Sequence, residues 1–170
     1  MKFIANWQSL PSLSLPESVM SLLKTELVLP FEDEYSAMSF WDEVGVTLIY
    51  VEPDDEPEGI KPQVLNVIHQ LIANPEFVVR LTDDYYLMLS VTEDNGNGIY
   101  LLFHPDCPLK GIDLLISMVN HTIKHKQNQE RKMSKSKLVK NNVESVSKEI
   151  KMRQRLFMKI SVQMNKHYLI

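Results

Sequence analysis

Residues 85–123 read YYLMLSVTEDNGNGIYLLFHPDCPLKGIDLLISMVNHTI, and this stretch decides the fold. Two apolar, β-branched and aromatic runs, YYLMLSV and IYLLF, flank the turn Asp94-Asn95-Gly96-Asn97-Gly98. Asparagine and glycine tolerate positive φ, so the arrangement predicts a β-hairpin. His104-Pro105-Asp106-Cys107-Pro108 then breaks the sheet. Beyond it, Ile112, Leu115, Ile116, Val119 and Ile123 return at helical spacing and predict an amphipathic helix.

Working upstream, FVVRL from Phe77 reads as a further strand. Pro62 opens a helix with Val64, Leu65, Ile68, Leu71 and Ile72 on one face, and Asn74-Pro75 ends it. The stretch EPDDEPEG before it is a solvated acidic loop. Earlier still, LVLPF, YSAMSFW and GVTLIYV are three strand-like runs separated by Glu32 to Glu34 and by Asp42 and Glu43, and they predict a three-stranded meander. A short amphipathic helix over about 17–27 precedes them, with Val19, Leu22, Leu23 and Leu27 at helical spacing. The expectation is therefore an α+β fold, an antiparallel sheet flanked by helices in the order α-βββ-α-βββ-α, followed by a long C-terminal helix.

That last helix carries a heptad seam. Val139, Val143, Val146, Ile150, Arg153, Phe157, Ile160 and Met164 alternate at spacings of four and three, interrupted in chemistry only by Arg153. A helix of roughly 30 residues would be about 45 Å long. Alone in water it is marginal, because helical stability in proteins comes mainly from covering the apolar stripe. Three units follow: an acidic α+β domain over 1–125, a basic connector over 126–137, and a basic heptad-patterned helix over 138–170, read as a coiled coil.

Charge follows the same division. Residues 1–120 hold 5 lysines and arginines against 19 acids, and residues 121–170 hold 13 against 3, so net charges of -14 and +10 combine to the overall -4. Such segregation points to an appendage that meets an acidic partner, a phosphate backbone or the acidic body of its own protein. Apolar residues make up 44% and charged residues 24%, which is ordinary globular usage and excludes a disordered chain. The lone Cys107 cannot form an internal disulfide, in keeping with a cytoplasmic location. MKFIANWQSLPSLSLPE has neither the apolar core of a signal peptide nor the length of a membrane span.

No motif commits the chain to catalysis. Lys132 to Ser136 spells KMSKS, a phosphate-loop signature of class I aminoacyl-tRNA synthetases, but the nucleotide-binding context that makes it work is missing. His121 and His125 lie four apart on a helix, a zinc-like spacing, yet position 122 is threonine where a general-base glutamate would stand. The acidic loops Glu32-Asp33-Glu34 and Asp54-Asp55-Glu56 lack calcium-loop spacing, and no glycine-rich phosphate loop occurs. The chain is expected to be no enzyme and to bind no metal, nucleotide or other cofactor.

The order of elements, most concretely over residues 85–123, resembles class I type III secretion chaperones and the related YbjN-like fold, across about 17–125. The resemblance implies a homodimer that binds an extended segment of a secreted protein without nucleotide or catalysis. Such a surface uses aromatic and methionine side chains for adaptable contact area, and Phe40, Tyr86, Met88 and Tyr100 are the candidates. On the C-terminal helix the candidates are Val143, Val146, Ile150, Phe157 and Ile160. The less favoured reading is a nucleic-acid-binding or regulatory accessory protein, antitoxin and immunity types included. It would use Lys140, Lys148, Lys151, Arg153, Arg155 and Lys159 on phosphates. Protein binding is preferred because the seam is the more ordered of the two patterns.

Overall fold

The structure is a computed structural model that describes residues 1–91, 98–131 and 145–156. It is an α+β fold: a five-stranded sheet in the order β1-β2-β5-β4-β3, flanked by helices on both faces. The strands are β1 (Lys2–Ile4), β2 (Thr47–Val51), β3 (Phe77–Arg80), β4 (Tyr86–Val91) and β5 (Gly98–Phe103). The helices are α1 (Glu17–Val28), α2 (Glu34–Val44), α3 (Pro62–Ala73), α4 (Ile112–Arg131) and α5 (145–156), with a 3-10 segment at Trp7–Leu13.

The hairpin strands pair as the sequence leads one to expect, β4 antiparallel to β5 from Tyr86↔Phe103 to Val91↔Gly98. Its turn lies outside the described residues. The sheet is mixed rather than antiparallel throughout. From β2 the chain crosses over by α3 to β3 at the far edge, and β3, β4 and β5 step back across the sheet. That return lays β5 parallel to β2, from Thr47↔Ile99 to Val51↔Phe103. The outer strand β1, a three-residue piece too short to signal itself, closes the opposite edge antiparallel to β2.

The expected meander does not form. Of its three runs only GVTLIYV gives a strand, β2. LVLPF is the end of α1 and the turn after it, and YSAMSFW lies within α2. The physical reason is capping and spacing. Asp33 accepts a hydrogen bond from the Ser36 N–H at 2.8 Å as N-cap, and that bond holds its carboxyl below the usual aspartate range. Gly45 takes φ 74° as the C-cap. Between them Ala37, Trp41 and Val44 recur at four and three residues and bury one stripe. Of the connector expected over 126–137, α4 takes in the stretch to Arg131, and 132–137 lie outside the described residues.

Alternation along the strands divides the core. Leu48, Tyr50, Leu87, Leu89, Tyr100 and Leu102 face the layer of α1, α2, α5 and the 3-10 segment. Ile49, Val51, Tyr86, Met88, Leu101 and Phe103 face α3 and α4. Covering both faces is why β4 and β5 read as continuous apolar runs instead of alternating ones. Gly111, at φ +91°, lets the chain enter α4 close to α3: a Cβ there would meet Ile72 Cγ2 at 2.9 Å.

Of the heptad seam, Val146, Ile150 and Arg153 are described. Arg153, its one break in chemistry, is the best-buried residue described on α5, at 1% exposure, and Leu156 joins the core beside it. Ile150 is half-buried and Val146 is exposed. Val139, Val143, Phe157, Ile160 and Met164 lie outside the described residues.

Candidate partner-binding groove

Strand β3 is one edge of the sheet, and helices overhang it on both faces. α4 packs its Val119 and Ile123 with Val78 on one face. On the other, α5 is pinned through Arg153. The Arg153 guanidinium donates to Glu26 Oε2 at 2.5 Å and to Glu149 Oε1 at 2.7 Å, and lies 4.5 Å from the centre of the Phe77 ring. It also reaches the Glu26 carbonyl at 3.4 Å, in the last turn of α1, where a cation suits the helix dipole. Its Nε has no partner among the described residues.

A groove of about 610 Å³ follows the strand between these two walls. Its floor is the segment Pro75 to Arg80; Met118, Thr122 and Ile123 form one wall, and Ser145, Lys148, Glu149 and Met152 form the other. Met118 and Met152 are 49% and 44% exposed, and thioether side chains suit adaptable contact.

The backbone of β3 also offers bonds. Leu81 N–H donates to the Tyr85 carbonyl at 2.9 Å, in register with the pairs Val79↔Leu87 and Phe77↔Leu89. Antiparallel ladders alternate, so the odd-numbered residues turn their N–H and C=O groups towards β4. Val78 and Arg80 turn theirs outwards, into the groove.

The residues singled out from sequence fall elsewhere for the most part. Tyr86, Met88 and Tyr100 are 4%, 0% and 1% exposed. They are core residues, with Tyr86 stacked on Phe103 and Tyr100 on Trp41, so a partner cannot reach them. Burial also pushes the Tyr100 phenol well above its ordinary value, keeping it neutral. Phe40 is half-buried with its ring 5.2 Å from Phe31. Val146 is exposed and Ile150 half-buried on α5, while Val143, Phe157 and Ile160 are outside the described residues. Reasoning from the sequence missed Met118 and Met152, which the i, i+4 spacing of Met118 to Thr122 and of Lys148 to Met152 puts on helix faces beside an edge strand. It had no means of knowing which strand would be the edge.

His121 is exposed on α4, and the side chain of His125 and the KMSKS string are outside what is described. No group of three or more His, Cys, Asp or Glu is placed to hold a metal among the described residues. His104 Nδ1 accepts from the Asp106 N–H at 3.0 Å, and its Nε2 is 3.9 Å from Asp84. No described helix is long and apolar enough to cross a membrane. Cys107 is buried, and burial pushes its thiol up to about 11. A thiol is the reactive species only as thiolate, so Ellman's reagent should label native protein slowly at neutral pH and quickly once urea unfolds it. Prompt labelling of the native form would contradict that burial. Because the folded value lies above the unfolded one, this group's contribution to stability is present below about pH 9 and fades as pH rises towards 11.

No protein family, curated protein or solved structure matches the chain.

Proposed function

We propose that this chain is a non-catalytic, cytoplasmic protein-binding protein that holds an extended segment of a partner polypeptide, a role of the kind secretion chaperones perform. One observation carries the reading: an edge strand whose outward backbone groups lie at the floor of a groove walled by exposed methionines. Main-chain bonds to a sheet edge bind any extended chain, and methionine walls adapt to many side chains. An edge left unpaired among the described residues is also a hazard that folds usually cover, which favours a use for it.

The test uses a permanently unfolded polypeptide, reduced and carboxymethylated lactalbumin, added to the protein while amide exchange is followed by NMR. Exchange at Val78 and Arg80, whose N–H groups face the groove, should slow upon binding, while that at Val79 and Leu81, turned towards β4, should change little. Binding that leaves Val78 and Arg80 unaltered, or no binding, defeats the reading.

A second reading has one observation in its favour. Lys148, Lys151 and Arg155 form an exposed stripe on α5 and make no ion pair among the described residues, a pattern that also suits a phosphate backbone.

A further inference from the structure

We propose that the segment held in the groove alternates acidic and apolar side chains and adds to β3 as a sixth strand, its acids towards α5 and its apolar residues towards α4. The inference rests on the groove reading above and names the chemistry of the partner.

A strand paired to β3 continues the sheet, so its side chains alternate between the same two faces. On the α4 face they meet Met118, Thr122 and Ile123. On the α5 face they meet Lys148 and Met152, and these two residues continue into a second hollow of about 540 Å³ with Lys151, Arg155 and Leu156. Spacings of three and four keep Lys148, Lys151, Met152 and Arg155 on one helix face. Of the carboxylates that line the groove, Glu26 and Glu149 turn inwards to the Arg153 guanidinium, which offsets one of their two charges, and Glu76 lies at the Pro75 end of the floor. Lys148 therefore borders the incoming strand itself, with Lys151 and Arg155 in the adjoining hollow, and none of the three makes an ion pair among the described residues.

The acidic body limits the same recognition. With residues 1–120 at a net -14, carboxylates are tolerated only where the α5 cations offset that field. This confines acids to alternate positions and disfavours a polyanion such as nucleic acid, whose phosphates cannot be confined to one face. A second copy is disfavoured too. Two-fold pairing of β3 with β3 keeps the sheet faces aligned and sets the two α5 stripes beside each other, like charge against like.

Fluorescence anisotropy decides the matter with three labelled probes: a peptide of about ten residues, a common upper strand length, in which valine and threonine alternate with glutamate; the same peptide with lysine for glutamate; and an oligothymidine. The glutamate peptide should bind and weaken with added salt. The variant carrying Lys148→Glu, Lys151→Glu and Arg155→Glu, all exposed positions, should bind it at least about tenfold more weakly, the usual scale for several rim charges. Val78→Pro removes an outward donor without touching the bonds to β4, so it should keep the fold and lose the peptide. Should that variant not fold, N-methylating alternate peptide residues removes the reciprocal donors and must have the same effect. If the lysine peptide binds as well and remains sensitive to Val78→Pro, the acidic preference is overturned while the groove reading survives. Binding of neither peptide overturns both. Oligothymidine bound in preference to the glutamate peptide, or a dimer that Val78→Pro dissociates, overturns the proposed occupant.

Discussion

Arg153→Ala should release α5 from the body and lower stability by about 3 kcal/mol, the low end of the cost of breaking a buried ion pair. The low end applies because the two carboxylates it leaves, on Glu26 and Glu149, are partly exposed, with side chains at 27% and 36%, and can turn to water. What cannot be recovered is the fork itself: two carboxylates, a helix-terminal carbonyl and an aromatic face answered by one planar cation. Lysine has no such fork, so Arg153→Lys should recover only part of the loss. Replacing the whole cluster, Arg153→Met with Glu26→Gln and Glu149→Gln, should recover more than Arg153→Lys, because it strands no buried charge. Urea denaturation gives the stabilities, and amide exchange over 145–156 tells undocking from global unfolding. Unchanged protection of those amides in Arg153→Ala would refute the anchoring role.

Arg153 also marks where the sequence stops being legible. A heptad reading ranks positions by hydrophobicity and so treats arginine as a defect in the seam. The structure buries it because Glu26, more than a hundred residues earlier, and Phe77 meet it in space, and no local pattern encodes that meeting. Long, strongly periodic elements were legible: α3, α4 and the β4–β5 pair follow from spacing, turn chemistry and breakers. α2 was legible in principle. Asp33, Glu34 and Gly45 supply a capped helix around Ala37, Trp41 and Val44, but the aromatic and serine content of YSAMSFW favours a strand when propensity is weighed before capping. The parallel β2–β5 pairing and the edge position of β3 belong to topology, which depends on how the crossover through α3 returns. The groove inherits that limit, since its floor is defined by being an edge.

Tyr100→Ala should cost about 4 kcal/mol, within the range for removing a large aromatic side chain from a core. Its ring is stacked 5.7 Å from Trp41 and set edge-on 6.4 Å from Phe77, so it joins α2, the central strand β5 and the edge strand β3. Phe77 in turn carries the Arg153 guanidinium, which couples this core aromatic to the docking of α5. Two-state denaturation should therefore find a large loss, and amide exchange should find β3 and 145–156 loosened together. A residue whose purpose is to touch a partner behaves in the opposite way: its removal spares stability and weakens binding. Phe40, half-buried, provides the comparison, and Phe40→Ala should cost less than half as much because less of its surface leaves water on folding. A Tyr100→Ala protein as stable as its parent that no longer bound the glutamate peptide would return this residue from the core to the binding surface.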